Sequence, residues 1–233
     1  MPVLHLSRRQ VLSLGGAHLS LKLSEPLVVL LGDSTLDNAA YAGPGRDVAT
    51  VLKRSLILGN VVLLARDGDV MADIPAQLGR TPNDATHLVV SIGGNDALRA
   101  AAILDQESNT VGEGVLKLSD VTLAFRTNYA GMLRDVAQRN LSTTICTIYE
   151  PRYEDLIKRR VAATALALVN DAIIQEAILH GLPIIDFRLV CREDSDFANP
   201  IEPSERGSEK IARAIARVIE RHDFRRREAA IYK

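Results

Sequence analysis

The alternation of short apolar runs with longer amphipathic segments constrains the fold of this chain most. Fully apolar runs of this kind are typical of parallel strands buried on both faces, and the amphipathic segments are typical of helices that cover them. The predicted strands are residues 27–31, 61–65, 87–92, 143–149 and 183–187. The predicted helices are residues 47–58, 71–78, 119–139, 153–180 and 208–221. The pattern therefore predicts an α/β chain in which one helix follows each strand.

Five such strands, joined by right-handed crossovers, predict a three-layer α/β/α sandwich. Its five-stranded parallel sheet has the flavodoxin-like order 2-1-3-4-5. The 233 residues, 47% of them hydrophobic, fit a single domain over residues 25–233, with an N-terminal arm or helix at 1–24. Ligands of open α/β sheets bind at the carboxyl ends of the strands, near the reversal of strand order. We therefore expect the site in the loops after the first and third strands, and a mobile loop at 105–114.

Charge and cysteine content narrow the classes of partner and cofactor. The chain has 28 basic and 29 acidic residues, so its net charge of -1 favours neither nucleic acid nor an anionic membrane. No run approaches the roughly 18 to 20 apolar residues that span a bilayer. The two cysteines, Cys146 and Cys191, do not suggest a disulfide scaffold, and we expect buried, inert thiols. No metal or other cofactor is implied, because no His, Cys and carboxylate residues have the spacing of metal ligands.

The N-terminus begins like a twin-arginine export signal but does not continue as one. Ser7 is followed by Arg8 and Arg9 and then by a short apolar run. His18 and Lys22 interrupt that run, and no small-residue cleavage site follows. We therefore expect residues 1–24 to form an arm or helix of a cytoplasmic protein.

A serine stands where the first predicted strand ends, in the sequence Gly32-Asp33-Ser34. The glycine permits a sharp turn, and a following helical turn would aim backbone N–H groups at the serine. Such a serine can attack an acyl carbon when a base takes its proton and hydrogen-bond donors stabilise the oxyanion. On its own, Ser34 is explained equally well as the N-cap of a helix.

Three short motifs, in order along the chain, resemble the first three sequence blocks of the SGNH (GDSL-type) hydrolase family. They are Gly32-Asp33-Ser34, Arg66-Asp67-Gly68-Asp69 and Gly93-Gly94-Asn95-Asp96. The resemblance spans about residues 26–221 and implies an esterase in which Ser34 is the nucleophile. It also implies that the N–H groups of Ser34 and Gly68 and the side-chain amide of Asn95 form the oxyanion hole. Gly68 as a mere turn glycine and Asn95 as a helix cap remain alternatives.

The last block of the family departs from its usual form in this chain. It normally carries an aspartate, two further residues and a histidine, whereas here Asn199 and Glu202 hold those two places. We interpret the pair as Ser34 with Glu202 as an atypical base, whose pKa burial would raise toward neutrality. Asn199 would orient Glu202 by donating a hydrogen bond. Asp194 and Asp196 are alternative bases or partners of Glu202.

The histidines of the chain do not offer a replacement base, because none is placed to reach Ser34. Two precede the first strand, and the others begin a strand or end a helix at the far side of the predicted sheet. We expect structural roles for all of them. They are His5, His18, His87, His180 and His222.

The sequence therefore predicts a serine hydrolase that forms an acyl-enzyme on Ser34. Its partner would be a small-molecule ester, with a small acyl ester, a thioester or an O-acetyl group as the bond cleaved. The alternative is a catalytically inactive domain of the same fold that binds a ligand or a protein. A nucleotide-binding protein is disfavoured because no Walker loop or G-x-G-x-x-G fingerprint occurs.

Overall fold

A computed structural model describes residues 25–56 and 59–233. Six strands of this part form one parallel sheet in the order β2-β1-β3-β4-β5-β6. The strands are β1 (Leu27–Gly32), β2 (Asn60–Leu63), β3 (His87–Ser91), β4 (Ser142–Cys146), β5 (Ile184–Ile185) and β6 (Ile231–Tyr232). The helices are α1 (Ala39–Ala42), α2 (Val48–Ser55), α3 (Ile74–Leu78), α4 (Gly94–Ala100), α5 (Val111–Ala137), α6 (Leu156–Leu179), α7 (Phe187–Val190) and α8 (Glu205–Arg221). The predicted arm at 1–24 lies outside the described residues.

The predicted α/β sandwich and its order 2-1-3-4-5 are confirmed, but the sheet has a sixth strand. β6 pairs with the outer edge of β5, where Ile184 N donates to Ala230 O and Asp186 N donates to Tyr232 O. The prediction of five strands was wrong because β6 is two residues long. A strand of that length has no alternation of apolar and polar residues by which it could be found.

Apolar side chains cover both faces of the sheet, which explains why β1 reads as one continuous apolar run. Val28 and Leu30 point into the core that includes α2 and α8. Val29 and Leu31 point into the opposite core, which includes α3, α5 and α6. Both layers are therefore anchored on β1, which lies between β2 and β3.

The start of α5 differs from the expectation of a mobile loop at 105–114. The helix begins at Val111, and its N-cap Thr110 accepts a hydrogen bond from Glu113 N. The Glu113 side chain accepts in turn from Asn109 N at 2.8 Å. These two bonds satisfy backbone N–H groups at the start of the helix, and the Thr-x-x-Glu pattern is the sequence signal for the earlier start.

α6 is the one described helix that is long and apolar enough, by length and composition alone, to cross a membrane. Its most apolar window of 18 residues has a mean hydropathy of 1.4. The count of consecutive apolar residues in the sequence predicted no such segment. Val169, Ile173 and Ala177 of this helix lie in the core against the sheet. A core helix passes the same test, so the composition is weak support for a membrane span.

We expect alanine at Gly32 to destabilise the fold severely. A Cβ atom there would lie 1.8 Å from the carbonyl oxygen of Ser91, and φ is 145°, so Gly32→Ala should lower the free energy of unfolding by more than about 3 kcal/mol. The matched control is Gly131→Ala in α5, where a Cβ meets only Arg134 Nη2 at 3.7 Å. That control should gain about 0.5 to 1 kcal/mol. Denaturant unfolding measures both, and a Gly32→Ala protein as stable as wild type would contradict the close approach.

Candidate active site

Ser34 lies just beyond the carboxyl end of β1, in a turn that is fixed at both ends. Asp33 N donates to Ser91 O on β3 at 3.2 Å. Leu36 N donates to Asp33 O, and Thr35 N donates to Asp33 Oδ1. Across the described chain, the N–H of Ser34 itself has no hydrogen-bond partner. The turn therefore holds Ser34 in place and leaves its backbone donor available.

Glu202 meets Ser34 from the far end of the sequence. The hydroxyl Oγ of Ser34 donates to Glu202 Oε1 at 3.0 Å, and the other carboxylate oxygen of Glu202 is buried with no partner in the described part of the protein. The Glu202 residue is 6% exposed. Desolvation raises the pKa of Glu202 to about 7, and the charges of Asp67 and Asp33 raise it too, whereas the bond from Ser34 lowers it. Burial therefore brings the titration of Glu202 from the acidic range toward neutral pH.

The loop before α8 sets the position of Glu202 through its backbone. Asn199 Oδ1 accepts hydrogen bonds from Ile201 N and Glu202 N, each at 3.0 Å. Tyr149 OH donates to Ile201 O at 2.6 Å. Asn199 thus accepts from the backbone, which corrects the expectation that it donates to the Glu202 side chain. It remains a positioning residue for Glu202, since it closes the turn that carries the carboxyl group.

Gly68 lies in the loop after β2, with a φ of 84°. Two neighbouring segments fix this loop: Asp67 N donates to Asp37 Oδ2 at 3.0 Å, and Asn95 Nδ2 donates to Asp69 O at 2.9 Å. Within residues 25–56 and 59–233, the Gly68 N–H has no acceptor. The backbone donor of Gly68 is therefore available, and one N–H of the Asn95 amide is bonded to Asp69 O.

Gln77 of α3 is a positioning residue that sequence reasoning missed. Its side chain is fully buried, accepts from Gly32 N at 2.8 Å, and donates to Gly32 O at 2.8 Å and to Asp69 Oδ2 at 2.7 Å. It therefore ties the end of β1 to the loop that carries Gly68. The one available signal was an amide in the short apolar segment between Ile74 and Leu78.

Asp33 and Asp96 stand beside the site in supporting positions. Burial raises the pKa of Asp33 to about 6, against the effect of its hydrogen bonds from Thr35. Asp96 Oδ2 accepts from Met71 N at 3.1 Å, and burial raises the pKa of Asp96 as well. Asp96 thus joins α4 to the chain that follows the Gly68 loop.

The structure does not bring the alternative carboxylates to Ser34. Asp194 Oδ1 lies 2.8 Å from Arg159 Nη2, and its side chain is 76% exposed. Asp196 is fully buried, and its Oδ1 lies 2.7 Å from Lys210 Nζ. Neither aspartate has a hydrogen bond to Ser34 or Glu202 among the described residues. Their partners give them roles in holding the segment before α8.

The histidines that the structure describes also have partners elsewhere. His5 and His18 lie outside the described residues. The ring Nδ1 atoms of the others lie 2.8 to 3.0 Å from their partners, which are Thr86 Oγ1 for His87, Glu176 O for His180 and Tyr232 OH for His222. Glu202 is therefore the titratable side chain that the described structure places on the Ser34 hydroxyl.

A cavity of about 510 Å³ opens beside these groups. Its lining includes Ser34, Asn95 and Glu202, together with residues of α4, α5 and α6. Most of the lining is apolar, and the volume lies in the range of about 300 to 1,000 Å³ that is usual for small-molecule sites. The arrangement therefore places the Ser34 hydroxyl, the Glu202 carboxyl and a ligand-sized space together.

Solved structures similar to this chain are lipolytic enzymes. The extracellular lipase of Streptomyces rimosus is 14% identical, with a TM-score of 0.59, over 84% of this chain and 98% of that chain. Phospholipase A1 of Streptomyces albidoflavus is 14% identical, with a TM-score of 0.60, over 84% and 99%. The lipase/acylhydrolase of Enterococcus faecalis is 21% identical, with a TM-score of 0.59, over 84% and 95%. At these identities the likeness shows a shared fold.

No curated protein matches the sequence. The model of the family described as GDSL-like Lipase/Acylhydrolase matches residues 30–222, a range that contains Ser34, Gly68, Asn95 and Glu202. This match confirms the resemblance that the three motifs indicate. The chain belongs to the GDSL-like lipase/acylhydrolase family.

Proposed function

We propose that this protein is a serine hydrolase that cleaves carboxylic esters through an acyl-enzyme on Ser34, with Glu202 as the general base. Family membership supports an enzyme of the esterase or lipase type in general. The observation that carries the finer proposal is the hydrogen bond of 3.0 Å from Ser34 Oγ to Glu202 Oε1. That distance lies within the reach required for direct proton transfer.

In the acylation step, the Glu202 carboxylate accepts the proton of Ser34 as Oγ attacks the carbonyl carbon. The N–H groups of Ser34 and Gly68 and the amide of Asn95 stabilise the negative charge on the carbonyl oxygen. When the carbon–oxygen bond of the ester breaks, the protonated Glu202 gives its proton to the leaving alkoxide. In deacylation a water takes the place of the alcohol, Glu202 accepts its proton, and the proton returns to Ser34 as the acid leaves.

A carboxylate serves as the base here because its surroundings bring its proton affinity close to that of an imidazole. The pKa of Glu202, at about 7, compares with an ordinary value of about 6.5 for histidine. A carboxylate also has no tautomer, so it needs no second acid to orient it. The backbone turn closed by Asn199 supplies the orientation instead. The missing aspartate and histidine of the last block are therefore compatible with turnover.

We expect Ser34→Ala to lower ester hydrolysis at least about a thousandfold, because it removes the attacking atom. Glu202→Gln should lower kcat by about a hundredfold to ten-thousandfold, because an amide cannot take up the serine proton. The assay is turnover of a chromogenic ester, with fluorophosphonate labelling of Ser34 as a second readout. Glu205→Gln is the matched control, since Glu205 is exposed and its ion pair among the described residues is with Arg46 at the surface.

An inactive binding domain gives the opposite outcome in the same experiment. It would show no turnover above the Ser34→Ala background and no labelling of Ser34 by the fluorophosphonate. Equal rates for wild type and Ser34→Ala would likewise overturn the proposed nucleophile. Turnover by Glu202→Gln equal to wild type would overturn the proposed base alone.

The pH dependence of kcat/KM should report Glu202. Because the base acts as a carboxylate and its pKa is about 7, kcat/KM should rise with pH and reach half its maximum near pH 7. The measurement is kcat/KM for a neutral ester between pH 5 and 9, with Glu205→Gln as control. A plateau that already begins near pH 5 would contradict a raised pKa at the base.

Burial of Glu202 should also reduce stability at alkaline pH. The pKa in the folded protein, about 7, exceeds the ordinary 4.5, so the folded state binds more protons between these values and loses stability as pH rises through them. Glu202→Gln removes this charge and should raise the free energy of unfolding at pH 8 by up to about 3 kcal/mol. The gain should shrink toward pH 4.5. Denaturant unfolding at pH 5 and pH 8 measures it, and an equal gain at both values would contradict the origin in the charge.

A further inference from the structure

The cavity beside Ser34 lies between parts of α5 and α6 that extend past the sheet. The first buried side chain of α5 is Phe125, and the first of α6 is Val169, although the two helices begin at Val111 and Leu156. Before Phe125 and Val169, Leu166 is the one described residue of either helix that packs against the core, and it is only partly buried. The turns before those two positions form two walls above the carboxyl ends of the strands.

The length of the cavity follows from its lining on each wall. The lining runs from Leu118 to Asn128 on α5 and from Ala162 to Val169 on α6. At 1.5 Å per residue these stretches are about 15 Å and about 10 Å long. The space bounded by both walls is therefore about 10 Å deep, which is the length of the shorter wall.

The side chains on these walls favour a hydrocarbon over a polar ligand. The apolar residues Leu118, Val121 and Phe125 of α5 and Ala162, Ala165 and Leu166 of α6 make up most of the two walls, and Thr122 and Asn128 are the polar residues of the α5 wall. A sugar or peptide placed here would lose hydrogen bonds to water that apolar walls cannot replace, whereas a hydrocarbon chain gains from leaving water. The polar groups that act on the ester, Ser34, Asn95 and Glu202, lie at the end nearest the sheet.

The positions of Glu202 and Asn95 indicate which half of the ester enters the cavity. Glu202 must give a proton to the leaving alcohol, so the alcohol lies on its side of Ser34. Asp67 and Tyr41 stand near Glu202 and interact with it electrostatically, and Tyr41 OH donates to Asp67 at 2.7 Å. That side is polar. Neither Tyr41 nor Asp67 lines the cavity, whereas α4 lines it from Asn95 to Ala100.

We infer that the cavity between α4, α5 and α6 holds the hydrocarbon chain of the acyl group. The preferred substrates are then esters of unbranched carboxylic acids of roughly eight carbons, the extended length that about 10 Å accommodates. They are larger than the small acyl groups expected from the sequence. The inference rests on the proposed attack by Ser34. Ala162 and Ala165 determine the specificity, because their short side chains leave room for the chain between the helices.

A series of p-nitrophenyl esters from acetyl to dodecanoyl, kept below micelle-forming concentrations, tests the length. The value of kcat/KM should rise about three- to fourfold per methylene up to about eight carbons and then level off. Equal values for the acetyl and octanoyl esters would overturn the inference while leaving the hydrolase proposal intact. No hydrolysis of any ester, together with no fluorophosphonate labelling, would count against the proposed function itself.

Two isomeric esters test which half of the substrate the cavity holds. Ethyl octanoate and octyl acetate have the same atoms, but the long chain is on the acyl side in the first and on the alcohol side in the second. The inference predicts at least about a tenfold preference for ethyl octanoate in kcat/KM. Equal values or a preference for octyl acetate would overturn the assignment of the cavity to the acyl group.

Filling the cavity tests the role of its α6 wall. Ala165→Phe should lower kcat/KM for the octanoyl ester at least about tenfold more than for the acetyl ester. Ala167→Phe is the matched control, because Ala167 is exposed on the same helix and does not line the cavity. Ala162→Leu is a smaller substitution with the same expected direction, should the phenylalanine impair folding. An unchanged ratio of octanoyl to acetyl activity in a folded Ala162→Leu or Ala165→Phe protein would overturn the inference.

Discussion

The site depends on the close approach of β1 to β3 at Gly32. Without a Cβ atom at that position, the backbone of Gly32 lies against the Ser91 carbonyl, and the next residue donates its N–H to the same oxygen. Gln77 then pairs with both backbone groups of Gly32 and with Asp69. These contacts join the end of β1, the loop after β2 and the end of β3. The turn of Ser34 is therefore held by buried hydrogen bonds, and such preorganisation suits the nucleophile that we propose.

Two carboxyl groups of the segment before α8 show how surroundings separate the proposed base from a structural group. Asp196 is fully buried, yet it lies 2.7 Å from the Lys210 ammonium and accepts from two backbone N–H groups. Glu202 is nearly as buried, but the one hydrogen bond of its carboxyl group in the described structure comes from a neutral hydroxyl. Charge compensation suits Asp196 to hold the loop. The Glu202 carboxyl has no charged partner of this kind in the described structure, so desolvation raises its pKa. A carboxyl with a raised pKa can act as a base near neutral pH.

Local patterns were sufficient to predict strands β1 to β5 and the loops that bear Ser34, Gly68 and Asn95, because each apolar run and the motif after it are contiguous. Contacts between distant segments had no such pattern. Gln77 and Gly32 are 45 residues apart in the sequence. No local pattern around Gln77 indicates that its side-chain amide pairs with the N–H and the C=O of Gly32, as the backbone of a neighbouring strand would. The pairing of Ser34 with Glu202 was predictable because the family order placed the glutamate. The acceptor role of Asn199 was not, since it depends on the backbone conformation of its own turn.

The length of α5 and α6 links the fold to the chemistry. Covering a strand of five residues takes about 17 Å of helix, whereas the 27 residues of α5 extend about 40 Å. The excess lies at the end of the sheet that bears Ser34. The same geometry explains the composition of α6, because its C-terminal turns pack into the core and its N-terminal turns line the cavity. Both segments are apolar, each for its own reason, so the mean hydropathy is high along the helix.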